Sequence, residues 1–376
     1  MRIAIIGLGH LGSVTAGCLT TFGHHILGID RKRSVASAFA GGRAPIDEPG
    51  LAPILRSARR AGLIEATDRV SPGVFASDLI MICVETPRTA ARTLAFDNIV
   101  QICEQLQVNG DKSRPLPPLV IRSTLPPGAF DLALARFYPP RGRLRMVYNP
   151  AFSREGNAVE DTLHPGRIIL GVKHPRDALK IRRLYKSFDA PIFATAWSNA
   201  EILKCAENSF HALKVTFANE IGAICDSFHA DAEEVMRILC ADRRLNISAA
   251  YLRPGLPFGG PCLDKDLDAL IGSAKAQSVD APLLQAILES NRRHFRRIVS
   301  QAKQKKSRVG FLGLSHKAGV TDHRNSHLVT LARQMRAAGL EVDILRPAGK
   351  TAGSRNSRNH SPDGTGRFDL IFTPQS

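Results

Sequence analysis

Two rhythms of apolar residues alternate along the chain. Short unbroken runs, RIAII at 2–6, HILGID from His25, DLIMICV at 78–84, LVIRST at 119–124 and RMVYNP at 145–150, have the length and β-branched content of buried strands. Helical patterns such as SVTAGCLTTFG separate several of them, and that alternation predicts a mostly parallel sheet covered on both faces. From about Asn199 to Ala230 the texture changes, because Gly222 is the one glycine or proline in the stretch; a helix of many turns is expected there. Helical patterns continue at DAEEVMRILCA, LDALIGSAKAQ and PLLQAILESNRRHFRRIVSQAKQ, with the loop RPGLPFGGPCLDKD between the first two. After the basic hinge KQKKSR a third unit opens with RVGFLGLSHKAG, again a strand and a glycine turn, followed by the helix HLVTLARQMRAAG and the strand EVDIL. Residues 347–366 hold no apolar side chain larger than proline and are expected to be disordered, while FDLIF offers one more strand.

With 376 residues the chain is long enough for two or three domains. The composition, 44% apolar and 23% charged, is that of a soluble globular protein, and no run approaches the roughly 18 apolar residues of a membrane span. The glycines of the first segment and the lack of a small-residue cleavage site argue against a secretory leader, so a cytoplasmic protein is expected. The net charge of +17 raises the question of nucleic acid, but the basic residues are spread along the chain and no basic stretch is interleaved with aromatics; no nucleic-acid partner is expected. The seven cysteines are odd in number and none has metal-ligand spacing, so neither a disulfide framework nor a metal site is expected.

Gly7, Gly9 and Gly12 form G-x-G-x-x-G at the junction of the first strand and the first helix. In that setting the first glycine permits the tight turn, the second lets backbone approach a pyrophosphate, and the third allows close packing of helix on strand. Asp30 ends the second strand, where a carboxylate accepts hydrogen bonds from ribose hydroxyls and disfavours a 2′-phosphate. NAD is the expected cofactor, although Arg31, Lys32 and Arg33 leave NADP open.

On the long helix, Lys204, Asn208 and His211 stand at i, i+4 and i+7 and share one face. Such a stripe is commonly a solvated surface, but the flanking Ile202, Leu203, Phe210, Leu213 and Val215 are apolar, so much of this helix reads as buried. An ammonium beside a carboxamide makes a pair of donors for a developing oxyanion. In FGGPCLDKD, Gly259 and Gly260 free the backbone before Cys262, with Lys265 and Asp266 close behind. A neighbouring cation raises the thiolate fraction, which marks Cys262 as a candidate nucleophile, while most of the other cysteines sit in apolar contexts and are expected to be core residues.

GLGHLG, DEPGL (47–51), STLPPG (123–128), NPAFSREG (149–156), EILKCAEN (201–208), FGGPCLDKD (258–266) and GLSHKAG (313–319) together resemble the UDP-glucose/GDP-mannose dehydrogenase family along about residues 1–345. HALKVTFANEIG (211–222), RRLNIS (243–248) and YLRPG (251–255) are similar to its GDP-mannose 6-dehydrogenase branch. The resemblance implies an N-terminal Rossmann-type doubly wound sheet (1–197), a central all-helical dimerisation domain (198–300) and an incomplete C-terminal Rossmann-like domain (301–376). It implies a four-electron, NAD-dependent oxidation of a sugar C6 hydroxyl to a carboxylate, with Cys262 forming a thiohemiacetal and then a thioester. Lys204 and Asn208 would steady the oxyanion, Asp266 with a water would take the hydroxyl proton, Glu155 would position the hydrolytic water, and Thr124 would lie between cofactor and water. Cofactor contacts carried over are Gly7, Gly9, His10, Leu11, Gly12, Asp30, Thr86, Thr124, Lys265 and Arg324. Sugar-nucleotide contacts carried over are Glu155, Lys204, Asn208, His211, Asn219, Tyr251, Arg253, Gly259 and Lys317. The family's homodimer forms through the central domain.

The chain departs from the family pattern at several of these motifs. Ala151 replaces the glutamate after Asn-Pro, Ser153 a leucine, Pro261 a small residue and Asp264 a proline; Glu85 precedes TP where a small residue is usual, and Ala129 and Ala250 replace a threonine and a tyrosine. The C-terminal pattern ends near Arg346. GDP-mannose is the preferred substrate expectation, with UDP-glucose the alternative. Two other readings stay open: a two-electron dehydrogenase of the 3-hydroxyacid type, in which Cys262 is idle, and a catalytically weak NAD-binding paralogue.

Overall fold

The computed structural model describes residues 1–90, 93–227, 229–243, 255–276, 282–305, 307–315, 322–345 and 368–373. These fall into two compact units, Met1–Ala206 with Asp268–Gln277, and Glu207–Leu267 with Ser278–Ser376.

The first unit is built on β1 (Arg2–Ile6), whose run of apolar residues is buried alternately in two layers. Ile3 and Ile5 meet α1 (His10–Thr20), and the chain returns through β2 (His25–Ile29), α2 (Arg33–Ala40) and α3 (Leu51–Arg60) to β3 (Ile64–Thr67). Ala4 and Ile6 face the opposite layer, reached through α4 (Pro72–Phe75), β4 (Leu79–Ile82), α5 (Asp97–Asn109) and β5 (Leu119–Ile121). A strand sandwiched between two helical layers has no solvent face, so its sequence carries no polar alternation. An irregular helical segment over 130–137 leads to β6 (Met146–Tyr148), α6 (Ala158–Leu163), β7 (Ile168–Val172), α7 (Ala178–Leu184) and β8 (Ile192–Ala196). The strand order is β3-β2-β1-β4-β5-β6-β7-β8, the doubly wound arrangement expected from the alternation of runs.

Neighbouring strands are parallel except at the β6–β7 seam, where a single antiparallel pair, Tyr148 with Gly171, joins them. A side-chain network spans this seam. Asn149 Nδ2 donates to the Ile169 carbonyl at 2.9 Å, and Asn149 Oδ1 accepts from both Arg122 and the Tyr185 hydroxyl. All three side chains are buried, so each bond is made in a medium where an unmet polar group is costly.

From α8 (Trp197–Ser227), through which the unit boundary passes, the chain is helical: α9 (Ala232–Ala241), α10 (Leu263–Ala276) and α11 (Pro282–Gln304) follow. Asp231 caps α9 by accepting the Glu233 and Glu234 N–H groups. The second unit then forms β9 (Val309–Leu312), α12 (His327–Ala337), β10 (Val342–Leu345) and β11 (Leu370–Phe372). The FDLIF segment does form a strand: β11 pairs parallel with β9, giving the order β10-β9-β11 over a core of Phe295, Phe311, Leu328, Leu331 and Met335. Residues 347–366, expected to be disordered, lie outside the described residues. Among the described residues no helix is long and apolar enough to cross a membrane.

Two expectations are corrected. The helix read from LDALIGSAKAQ begins a turn earlier, at Leu263, because Asp264 and Asp266 in its first turn complement the positive end of the helix dipole. Ile202 and Phe210, two of the apolar residues that predict a buried helix, are 47% and 40% exposed. At about 100° per residue both stand well round the helix from Lys204, so apolar neighbours did not report on the lysine's own face.

Asn149→Leu should destabilise the first unit by about 1–3 kcal/mol, since it removes the acceptor of the Tyr185 hydroxyl and one of the two acceptors of the Arg122 guanidinium nitrogen. Urea unfolding followed by near-UV circular dichroism checks this; an unchanged midpoint would contradict the role given to the network.

Candidate functional site

In a doubly wound sheet, ligands bind where the strand order reverses, at the carboxyl ends of the central strands. Here that point lies between β1 and β4. The turn after β1 has the predicted geometry. Gly7 has φ of +93°, and a Cβ on it would stand 2.8 Å from the Cys83 carbonyl oxygen. A Cβ on Gly12 would lie 1.7 Å from the Gly7 oxygen, so the helix can approach the strand only with glycine there. Gly9, the residue before α1, is different: a Cβ on it would meet nothing within 4 Å. Its glycine answers to no protein neighbour and leaves backbone open to a ligand. His10 and Leu11 form the first turn of α1, whose N–H groups and dipole suit a pyrophosphate.

Asp30 follows β2, with one carboxylate oxygen accepting the Leu8 N–H at 3.0 Å and the other the Lys32 N–H at 2.9 Å. The glycine turn thus aims the carboxylate expected to read a ribose. Thr86 comes shortly after β4 and is buried; Thr124 comes shortly after β5 and is half-buried. Ser123 Oγ donates to the Val84 carbonyl at 2.7 Å, joining the loops that carry them. Glu155 is half-buried, and Lys204 is 8% exposed with its ammonium 5.5 Å over the Phe152 ring.

In the second unit, Cys262 directly precedes α10 and is exposed, whereas Cys18, Cys83, Cys103, Cys205 and Cys225 are buried and Cys240 is half-buried. Burial pushes the thiols of Cys18, Cys83 and Cys103 up to about 12, which leaves them un-ionised and inert. The Asp266 N–H donates to the Cys262 carbonyl at 2.9 Å, making Cys262 the cap of the helix. The Asp266 side chain, 1% exposed, accepts from Asn208 of α8 and lies 3.7 Å from the Lys265 ammonium. Asn219 brackets the loop before the cysteine, accepting from Gly255 N–H at 2.7 Å and donating to the Leu256 carbonyl at 3.2 Å. Gly259 packs against the start of α12, where a Cβ would meet the His327 nitrogen at 2.8 Å. His211 is half-buried. Arg324 is exposed and its guanidinium is paired with Asp322 at 2.7 Å. Tyr251, Arg253 and Lys317 lie outside the described residues. No group of three or more metal-ligating side chains occurs among the described residues.

Residues 1–189 match the UDP-glucose/GDP-mannose dehydrogenase family, NAD binding domain, and residues 198–293 match the central domain of the same family. The chain belongs to this family. It is an NAD-dependent oxidoreductase of the nucleotide-sugar dehydrogenase class. GDP-mannose 6-dehydrogenase of Azotobacter vinelandii is 36% identical over 352 residues, which are 92% of this chain and 81% of that protein. Among solved structures, a UDP-glucose dehydrogenase from Pyrobaculum islandicum is 30% identical with a TM-score of 0.85, over 92% of this chain and 82% of that one. A ternary complex of GDP-mannose dehydrogenase from Pseudomonas aeruginosa is 36% identical with a TM-score of 0.63, over 92% and 80%.

Several residues that organise this dehydrogenase were not singled out from its sequence. Glu48 is buried and accepts from Gly156 N–H at 2.9 Å and Ala158 N–H at 2.7 Å, while His10 Nε2 lies 2.7 Å away. Burial works to raise its pKa, but those hydrogen bonds outweigh it and hold the carboxyl below the ordinary range. A depressed carboxylate adds stability above its unfolded value and loses it as pH falls through the folded one. Asn291 of α11 brackets Phe258, donating to its carbonyl and accepting its N–H, both at 3.0 Å. Arg88 pairs with the buried Asp268. Glu48 lies within DEPGL, the one signal that could have found it; nothing local marks Asn291 or Asp268, whose partners are distant in sequence.

Gly9→Val should leave stability within about 1 kcal/mol, because the space is open, yet weaken NAD binding at least about tenfold by titration calorimetry. Gly12→Ala should instead lower the melting temperature. Equal effects of the two changes on folding would contradict the division of roles.

Proposed function

We propose that this dehydrogenase oxidises the C6 hydroxyl of GDP-mannose to the carboxylate, through a covalent intermediate on Cys262. The observation that carries the reading is the exposed thiol at the cap of α10, with Asp266 held by Asn208 one turn into the helix. The open backbone at Gly9 and the aimed Asp30 carboxylate fit a dinucleotide. The turn at Gly7, Gly9, His10, Leu11 and Gly12 with Asp30, Thr86, Thr124, Lys265 and Arg324 would hold NAD, which when bound would accept one hydride at each oxidation step, a second NAD replacing the first NADH.

Asp266, acting through an ordered water, takes the hydroxyl proton as the alcohol becomes an aldehyde. Cys262 Sγ then adds to the aldehyde carbon, and Lys204 and Asn208 donate to the oxyanion of the thiohemiacetal. Loss of a second hydride leaves a thioester, which water positioned by Glu155 and Thr124 hydrolyses to release the thiol. Two NADH and one carboxylate form per sugar. The start of a helix favours negative charge, which suits a thiolate at Cys262. His211, Asn219, Tyr251, Arg253, Gly259 and Lys317 hold the sugar nucleotide.

GDP-mannose is preferred to UDP-glucose because relatives named for it reach 36–38% identity, against 30% for a relative named for UDP-glucose. The higher TM-score with the UDP-glucose dehydrogenase points the other way. Backbone superposition does not read a nucleobase, so the side chains decide. The division into dinucleotide domain (1–197), helical domain (198–300) and C-terminal domain (301–376) goes with this reading, as does a cytoplasmic setting. A homodimer through α8 is supported by Ile202, Phe210 and Phe217, which are 47%, 40% and 41% exposed. Their spacing puts them on a common side of the helix.

Purified protein with NAD and GDP-mannose should yield two NADH for each sugar consumed, and more slowly or not at all with UDP-glucose. Cys262→Ala should abolish carboxylate formation. One NADH per sugar, or undiminished carboxylate in the variant, would overturn the covalent route.

A further inference from the structure

A buried carboxylate outside the roles assigned so far lies beside the Thr124 loop. Glu201 sits on α8 one turn before Lys204 and is 1% exposed. Its two oxygens accept separately, Oε2 from the Gly128 N–H at 2.8 Å and Oε1 from the Phe130 N–H at 2.9 Å. Those donors lie where the STLPPG loop turns into the helical segment over 130–137, and Gly128 has φ of +89°, a conformation that favours glycine. The same junction is fastened by apolar contact, since the Phe130 ring stacks on Trp197 of α8 at 4.5 Å. The other end of the loop is fixed by the Ser123 bond to Val84 and by the Leu125 N–H to the Tyr148 hydroxyl at 3.3 Å. Thr124 therefore rides on a loop whose far end is tied to the helix carrying Lys204.

We propose that Glu201 is a positioning residue that sets the Thr124 loop against the Lys204 helix, through a carboxylate that receives one backbone N–H on each oxygen. Its catalytic consequence rests on the sugar-oxidising reading given above; the tie itself does not. Only the ionised carboxylate offers both oxygens as acceptors. The protonated acid keeps one good acceptor and must turn its own O–H away from the second donor.

Burial pushes the Glu201 carboxyl up to about 7, against the pull of the Phe130 and Gly128 N–H groups and, more weakly, that of Ala129, and the charge of Asp131 adds to the rise. Asp131 is the charged group facing it from the 130–137 segment; on α8 Lys204 lies one turn on, over the Phe152 ring. The tie should therefore tighten as pH rises through about 7. Global stability moves the other way, because a raised carboxyl holds its proton more firmly folded than unfolded: the group's contribution falls as pH climbs from the ordinary carboxylate range to about 7.

Amide hydrogen exchange of the wild-type protein, corrected for intrinsic rates, tests this without substrate. Protection at Gly128 and Phe130 should rise about tenfold across neutral pH. In Glu201→Gln, whose amide can accept only one of the two, the response should be flat, kcat should fall about tenfold with the KM for the nucleotide sugar little changed, and the rise in kcat through neutral pH expected of the wild type should vanish. Flat wild-type protection would overturn the tie. A normal response with an unaltered kcat in E201Q would overturn the positioning role. If the wild type oxidises no nucleotide sugar, the sugar-oxidising reading fails on its own; the exchange response, with a several-fold loss of NAD affinity in E201Q, still decides the tie.

Discussion

The second unit turns on one residue, Asp266, whose two ends are committed to different partners. Its backbone N–H closes the first turn of α10 onto the Cys262 carbonyl, and its buried side chain accepts from Asn208 on α8. A residue bonded this way fixes both the place where the helix begins and the rotation at which it meets its neighbour. Because the helix begins at Leu263, Cys262 is left at its mouth with the sulfur exposed. Shifting that start by one residue would turn the thiol by about 100° and lose the arrangement.

The loop leading to the cysteine is fixed by side-chain amides in place of strand pairing. Asn219 from α8 and Asn291 from α11 each donate to and accept from its backbone, at Gly255–Leu256 and Phe258. The Gly260 N–H adds a bond of 2.8 Å to the Asn325 carbonyl. Buried amides used in this fashion satisfy the backbone polar groups of an irregular segment that has no strand partner, while leaving its end to present a reactive group. The first unit follows the same logic at its own carboxyl-end loops, where Ser123, Tyr148 and Glu201 secure the segment carrying Thr124.

Much of this was legible in the residues. The parallel sheet followed from apolar runs without polar alternation, and the dinucleotide turn from three glycines whose crowding the structure displays at Gly7 and Gly12. Cys262 stood out by its glycine-rich, charged surroundings, and it is exposed where the thiols at 18, 83 and 103 are buried. β7 lies outside the runs named above although IILGV, bracketed by Pro165-Gly166 and Pro175, is an apolar run of the same kind; β8 has no such signal, because IFATA is short in large apolar residues and largely exposed. The first turn of α10 was missed because LDKD looks like loop composition until its aspartates are seen as helix-start residues. Partnerships such as Glu201 with Gly128 or Arg88 with Asp268 join positions 73 and 180 residues apart, and pattern along a chain cannot register them.

The central claim is that a carbon–sulfur bond forms at Cys262 during turnover. Rapid acid quench of the protein with NAD and GDP-mannose, followed by peptide mass analysis, tests it most directly. The account predicts a transient mass gain equal to the sugar-nucleotide acyl group on the peptide containing Cys262. Accumulation of carboxylate product with that peptide unmodified at every quench time would contradict it.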